Sequence, residues 1–160
     1  METQHKETAS GESPAHALFN PPVRRADLRP SVRLGPGDFV DWAEAETGWE
    51  REHIERCIFH GGVWVGRYRC ASPGEIAAEE PVRLYRFEYE PAKLELAEDA
   101  VLYEDEHWLV VNKPAWIPVQ GTRASMRLSL EHMLKVRGET EWLSPVHRLD
   151  RQTSGVDVKA

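Results

Sequence analysis

Pro145-Val146-His147-Arg148-Leu149-Asp150-Arg151-Gln152-Thr153-Ser154-Gly155 puts an aspartate, two arginines and a histidine into one short, turn-rich segment. Arg148 and Asp150 are two residues apart, so in an extended backbone their side chains share one face while Leu149 points the other way and can anchor in a core. A carboxylate beside the cations of Arg148 and Arg151 stays ionised, and an ionised carboxylate can act as a base or as a covalent nucleophile. Thr153 and Ser154 carry hydroxyls that bond local backbone in a turn, and Gly155 is free to take a positive φ. Taken alone, His-Arg-Leu-Asp has a plainer reading as a solvated loop with one Arg–Asp pair.

The rest of the segment points elsewhere. His147-Arg148-Leu149-Asp150, two further residues and Thr153-Ser154-Gly155 closely resemble the signature of the RluA-type pseudouridine synthases, enzymes that isomerise uridine in ribosomal and transfer RNA. Upstream, Leu102-Tyr103-Glu104-Asp105 and Val110-Val111-Asn112-Lys113-Pro114-Ala115 look like the first hairpin of that family's catalytic domain. Two departures accompany the match. The family often has glycine after Lys-Pro-Ala, where this chain has Trp116, and it continues past the signature as a hydrophobic strand, where this chain has Val156-Asp157-Val158-Lys159-Ala160. The resemblance is therefore expected to fail beyond Gly155, with Asp157 carrying a charge into a position that should be apolar.

A chain of 160 residues, 41% hydrophobic and with six tryptophans, has enough apolar material for one ordinary domain or two small ones. No apolar run approaches the length of a membrane span, and the charged N-terminus lacks the apolar centre of a signal peptide, so a cytoplasmic protein is expected. Cys57 and Cys70 have neither CxxC spacing nor a nearby His/Cys cluster, which argues for reduced thiols and against zinc. A net charge of −7 counts against nucleic acid until its distribution is considered. Residues 71–107 hold eleven acidic residues against the bases Arg83, Arg86 and Lys93, whereas residues 123–151 hold six bases and four acids. An acidic middle separates two mildly basic ends, which permits RNA contact.

Residues 1 to about 20 show no periodicity and are expected to form a disordered tail, followed by an extended, proline-punctuated lead-in to residue 37. Asp38 can cap a helix with Phe39, Trp42 and Ala43 inside and Gly48 at its end, and Glu50 to His60 reads as a second helix with Ile54, Cys57 and Ile58 on one face, stopped by Gly61-Gly62. Val63-Trp64-Val65, a turn at Gly66-Arg67 and Tyr68-Arg69-Cys70 form a hairpin. Two short helices and such a hairpin resemble the RNA-binding module named after ribosomal protein S-four. That resemblance covers residues 38–89 and implies RNA contact through Arg51, Arg56, Arg67 and Arg69, which otherwise read as an ordinary solvated face. Arg83 to Tyr89 reads as a closing strand whose row of Tyr85, Phe87 and Tyr89 packs on a neighbour. Residues 90–99 form an acidic linker. Residues 100–160 begin a catalytic domain with a strand at 100–103, a turn at Glu104-Asp105-Glu106, a doubly buried strand at Trp108–Val111 and a helix with Leu130, Met133 and Leu134 inside.

The expected fold class is thus α+β, an S-four-like ααβ module followed by the first elements of a mixed, mainly antiparallel synthase sheet. The resemblance implies conversion of uridine to pseudouridine in structured ribosomal or transfer RNA by a monomer, with no cofactor or metal. Asp150 would be the nucleophile or acid–base group, Arg148 would fill the space left by the flipped base, and His147 would orient backbone without a chemical step. The alternatives are an RNA-binding fragment without catalysis and a structural remnant without RNA affinity. The chain as written is expected to lack activity and to fold incompletely from residue 100 onward.

Overall fold

Strand β4 (Val82–Phe87) is hydrogen-bonded along both edges, and the first sheet is built around it. In this computed structural model, which describes residues 18–160, β1 (Val23–Leu28) pairs antiparallel with one edge from Val23↔Phe87 to Leu28↔Val82. The other edge takes β2 (Val63–Val65), which pairs in turn with β3 (Tyr68–Arg69), giving the order β1-β4-β2-β3. Helices α1 (Phe39–Thr47) and α2 (Arg51–His60) pack on one face of this sheet. Phe39, Ala43, Ile54, Cys57, Val63, Val82 and Leu84 form the core between them, closed at one end by the bridged pair Leu34 and Ile76. Burial pushes the Cys57 thiol up to about 12, so it is inert packing material.

The helices end where their glycines stand, because Gly48 and Gly61 take left-handed φ values of 67° and 75° that cost other residues energy. Asp38 occupies the cap position of α1 but spends its carboxylate on the N–H of Gly35, 3.0 Å away, and makes no side-chain cap bond. The lead-in also differs from expectation. Among the described residues a regular strand, β1, stands well before Asp38, because β4 offers an open edge and the ladder needs only backbone groups. The charges of Arg24, Arg25 and Asp27 hide that strand from a hydrophobic pattern, and only Ala26 and Leu28 lean on the core. The tail to residue 17 lies outside the described residues.

The second sheet is fully antiparallel, in the order β5 (Val101–Glu104), β6 (Leu109–Lys113) and β7 (Gly155–Lys159), and is covered by α3 (Leu130–Arg137). Asp105 shapes the β5–β6 turn, its carboxylate accepting from the N–H groups of His107 (2.8 Å) and Trp108 (2.7 Å) and from the Tyr103 hydroxyl (2.6 Å). Ser129 caps α3 by accepting from His132 N–H. Ala100, Val111, Ile117, Leu130 and Leu134 make the core. The strand expected to be buried on both faces is not: Trp108 is 47% exposed, and along β6 only Val111 and Lys113 are buried. One face of this antiparallel sheet meets α3 and the other does not, so alternation replaces a continuous apolar run. Neither does order stop at Gly155, since Val156 to Lys159 pair with β6 residue by residue.

Residues 120–127 join the two sheets. Met126 N–H donates to His60 O (2.9 Å), Trp64 Nε1 to Arg123 O (3.0 Å) and Arg127 Nε to Phe59 O (2.7 Å), while Arg69 donates to both Gly61 O and Thr122 O. Buried His60 completes the joint, with Nε2 2.8 Å from Glu90 Oε1 and Nδ1 3.3 Å from Ser125 Oγ. Burial pushes the Glu90 carboxyl up, but hydrogen bonds from Arg56 and His60 outweigh it and hold the group below its ordinary value of 4.5. A carboxyl whose folded pKa is depressed adds stability that is present above pH 4.5 and is lost as pH falls through the lower, folded value. Glu90→Gln should therefore flatten the pH dependence of stability below that point, as measured by urea melts at stepped acid pH. An unchanged slope would remove Glu90 from the joint's acid response. Among the described residues no helix is long and apolar enough to cross a membrane.

Candidate active site

The chain enters the signature loop alongside β7 and returns into it. Ser144 and Ala160 exchange two backbone hydrogen bonds of 2.9 Å, and Val146 N–H donates to Val158 O at 3.0 Å, so residues 147–154 form a loop closed at its base. Inside it, Thr153 N–H donates to Asp150 O at 3.0 Å, a tight turn that brings Asp150 to the tip. Gly155 enters β7 with φ 142°, the conformation anticipated for it. Leu149 is half-buried and Asp150, Arg148 and His147 are exposed. Arg148 and Asp150 form no ion pair with each other, because the turn after Asp150 breaks the extended geometry that would have set them on one face.

What fixes the tip lies behind it. Lys113, at the end of β6, is fully buried, and its ammonium donates to three carbonyls: Pro114 O (3.1 Å), Ile117 O (2.8 Å) and Arg151 O (3.3 Å). All three ammonium protons are thereby used. Burial holds this ammonium below the usual lysine range, Asp157 and Asp150 pull it back, and Arg151 adds to the depression. Trp116 N–H donates to the same Arg151 carbonyl at 2.6 Å, and to do so Trp116 takes a φ of 73°. Glycine reaches that conformation without cost, which accounts physically for the glycine the resembling family often has there. Lys113→Met leaves the three carbonyls short of a donor and should cost about 2–3 kcal/mol, with fast hydrogen exchange confined first to residues 114–117 and 150–153. A uniform loss of protection across the whole sheet would show that the lysine does not act on this loop.

Asp157 is buried at 0% exposure, 2.8 Å from the equally buried Lys159, and neither has a well-directed hydrogen bond. Register puts Asp157 opposite Val111, with Lys113 and Lys159 on the same face, so the carboxylate pairs with Lys159 while its charge also acts on the Lys113 ammonium. The charge that looked foreign to a strand is one member of a buried row. Sequence reading missed this row and the role of Lys113; the Lys-x-x-x spacing gives no hint of it, although two lysines spaced evenly about one acid on paired strands would be the signal.

The four arginines assigned to RNA contact are placed differently from one another. Arg51 pairs with Asp41 and with Glu44 (3.1 Å), and Arg56 with Glu90 and Glu52 (3.7 Å). Arg69 stacks over Trp64 at 4.6 Å and donates to the joint carbonyls, with burial lowering its pKa. Arg67 is exposed at the tip of the β2–β3 turn. A serine–histidine–carboxylate line does exist at Ser125, His60 and Glu90, but Ser125 is 1% exposed and its hydroxyl oxygen also accepts from Leu128 N–H, so it is a clasp and no nucleophile.

The family profile described as RNA pseudouridylate synthase matches residues 107–160, so the resemblance continues through β7 and does not fail at Gly155. The chain is similar to the ribosomal large subunit pseudouridine synthase C of Vibrio vulnificus, 32% identical over 114 aligned residues, in a match that covers 64% of this chain and 36% of that one. It is 34% identical over 119 aligned residues to the Escherichia coli protein of that name, in a match that covers 68% of this chain and 37% of the other. The Salmonella typhi protein of that name is 38% identical over 120 residues, again 68% and 37%. The chain thus spans little more than a third of the length of these relatives.

Proposed function

Through residues 107–160 this chain belongs to the RluA-type RNA pseudouridylate synthases, and from that membership we propose that Asp150 is the nucleophile of a uridine-to-pseudouridine isomerisation in ribosomal or transfer RNA. The observation that carries the reading is an exposed carboxylate at the tip of a loop held from behind by Lys113 and Trp116. Such a carboxylate can bond to substrate and leave again, dividing one difficult exchange into two easier ones. The uracil detaches from its sugar, turns and reattaches through a ring carbon, so the atoms of substrate and product are the same and no co-reactant is consumed. The target nucleotide must leave its stack at a cost of a few kcal/mol, and Arg148, exposed two residues before Asp150, fills the vacated space.

Residues 38–89 we read as the S-four-like module that delivers RNA to this loop, as a monomer in the cytoplasm. Arg67 is free to meet a phosphate; Arg51 and Arg56 do so by exchanging their acidic partners; Arg69 contributes by holding the hairpin against the joint. RNA incubated with the chain is tested for product by mass-tagging of pseudouridine. Product supports the reading, RNA binding without product selects a non-catalytic RNA-binding role, and the absence of both leaves a structural one.

A further inference from the structure

Between the outer face of β4 and the signature loop lies a cleft of about 340 Å³, lined by Asn20, Arg25, Tyr85, Phe87, Arg123 and Arg151 among others. In a chain of net charge −7 its lining has three arginines and no acidic residue. Arg25 is anchored by Asp27 at 2.5 Å and stands over the Tyr85 ring at 5.8 Å. Arg151 reaches Asn20 Oδ1, and its burial lowers its pKa, so its charge sits where solvent compensates it poorly. The Arg123 side chain is exposed, while its backbone carbonyl is tied to Trp64. Tyr85 is 6% exposed, and its buried hydroxyl has no hydrogen-bond partner. Buried polar groups are seldom left so, and an unpaired hydroxyl beside clustered guanidinium groups is a donor awaiting an acceptor.

We infer that this cleft is an RNA-backbone site, taking the phosphodiesters of the single strand that flanks the nucleotide held at Asp150. Guanidinium groups match phosphate geometry, and Phe87 and Tyr85 provide an apolar wall for a ribose or base. Arg151 follows Asp150 directly, so a strand seated in the cleft runs straight to the loop tip. The site differs from the arginines of α2 and the β2–β3 turn, and its assignment rests on the synthase reading.

The test is filter binding of a labelled single-stranded oligouridylate to the 160-residue chain across a salt series. Arg25→Glu with Arg123→Glu removes the exposed Arg25–Asp27 ion pair, the Arg25 contact over the Tyr85 ring and one exposed side chain, and circular dichroism checks that the fold is kept. Arg33→Glu, at an exposed arginine paired with Glu75 outside the cleft, is the control for a charge reversal elsewhere on the surface. The double variant is expected to bind about tenfold more weakly and to lose about 1.4 from the log–log salt slope, the loss due to two phosphate contacts on a single strand. Arg33→Glu is expected to change affinity less than twofold. Equal binding by the double variant and the unaltered chain, equal weakening by the control, or no binding by the unaltered chain would each overturn the cleft. Pseudouridine formation is read separately, so product with an unresponsive cleft overturns this inference and leaves the role of Asp150 standing.

Discussion

On the reading proposed above, Asp150→Asn is expected to reduce pseudouridine formation by roughly a thousandfold or more while leaving the thermal midpoint within a degree or two of the parent protein. The two halves of that expectation come from different features. Activity falls because an amide is neutral and cannot form and release an ester-like bond to the sugar or base, and no other carboxylate lies on the loop tip. Stability holds because the Asp150 side chain is exposed, and the turn uses its backbone carbonyl, which asparagine retains. Mass-tagged product counted against time gives the rate, and calorimetry gives the midpoint. Undiminished product would remove Asp150 from the mechanism. A large drop in midpoint would show instead that the carboxylate holds the loop.

The largest stability effect is expected at Gly62. A Cβ built there would stand 2.1 Å from the backbone carbonyl of Tyr85 and 3.2 Å from that of Ala124, with no flexible atom able to move aside. Gly62 is also bonded on both sides, donating to Cys57 O and accepting from Tyr85 N–H. Gly62→Ala must therefore push α2 and β2 away from β4 or open the joint at residues 120–127. The cost is about 4 kcal/mol or more, within the class of backbone strain at an over-determined site. Gly74→Ala, with nothing within 4 Å of the added carbon, should change stability by about 0.5 kcal/mol or less. Urea melts of the two variants make the comparison, and equal midpoints would show that α2 does not approach β4 this closely.

Gly62 also marks the boundary of what the sequence could reveal. Gly61-Gly62 reads as a helix stop, and Gly61 does stop α2, but the second glycine serves a close approach to a strand more than twenty residues away, which no local pattern carries. The helices, the β2–β3 hairpin, the Asp105 turn and the exposed aspartate of the signature were legible because each depends on side chains within a few positions. Strand β1 was not, since its stability comes from an edge supplied by β4 and its own residues are mostly charged. Tyr85 was rightly given a packing role, being buried, yet Tyr89 lies beyond β4 and is 42% exposed. Lys113 could be read as the residue ending a strand before proline, whereas its work as a three-carbonyl strap appears only when the segments 114–117 and 150–151 come together around it.

The buried row of Lys113, Asp157 and Lys159 also governs how the second sheet finds its pairing. A strand of alternating aliphatics can slide along its neighbour by two residues at small cost, and by one residue at the cost of turning its greasy side to water. In β7 a one-residue slide would expose the Asp157–Lys159 pair and leave Lys113 beside an alkyl group with no carboxylate nearby. A two-residue slide would set Asp157 opposite Leu109 or Lys113, away from its observed place. A one-residue slide strands these charges and a two-residue slide moves Asp157 off its partner Val111, so the row favours the observed alignment. The signature loop inherits that alignment, because its two ends are fastened to β7, and the strand pairing itself thereby sets the position of Asp150.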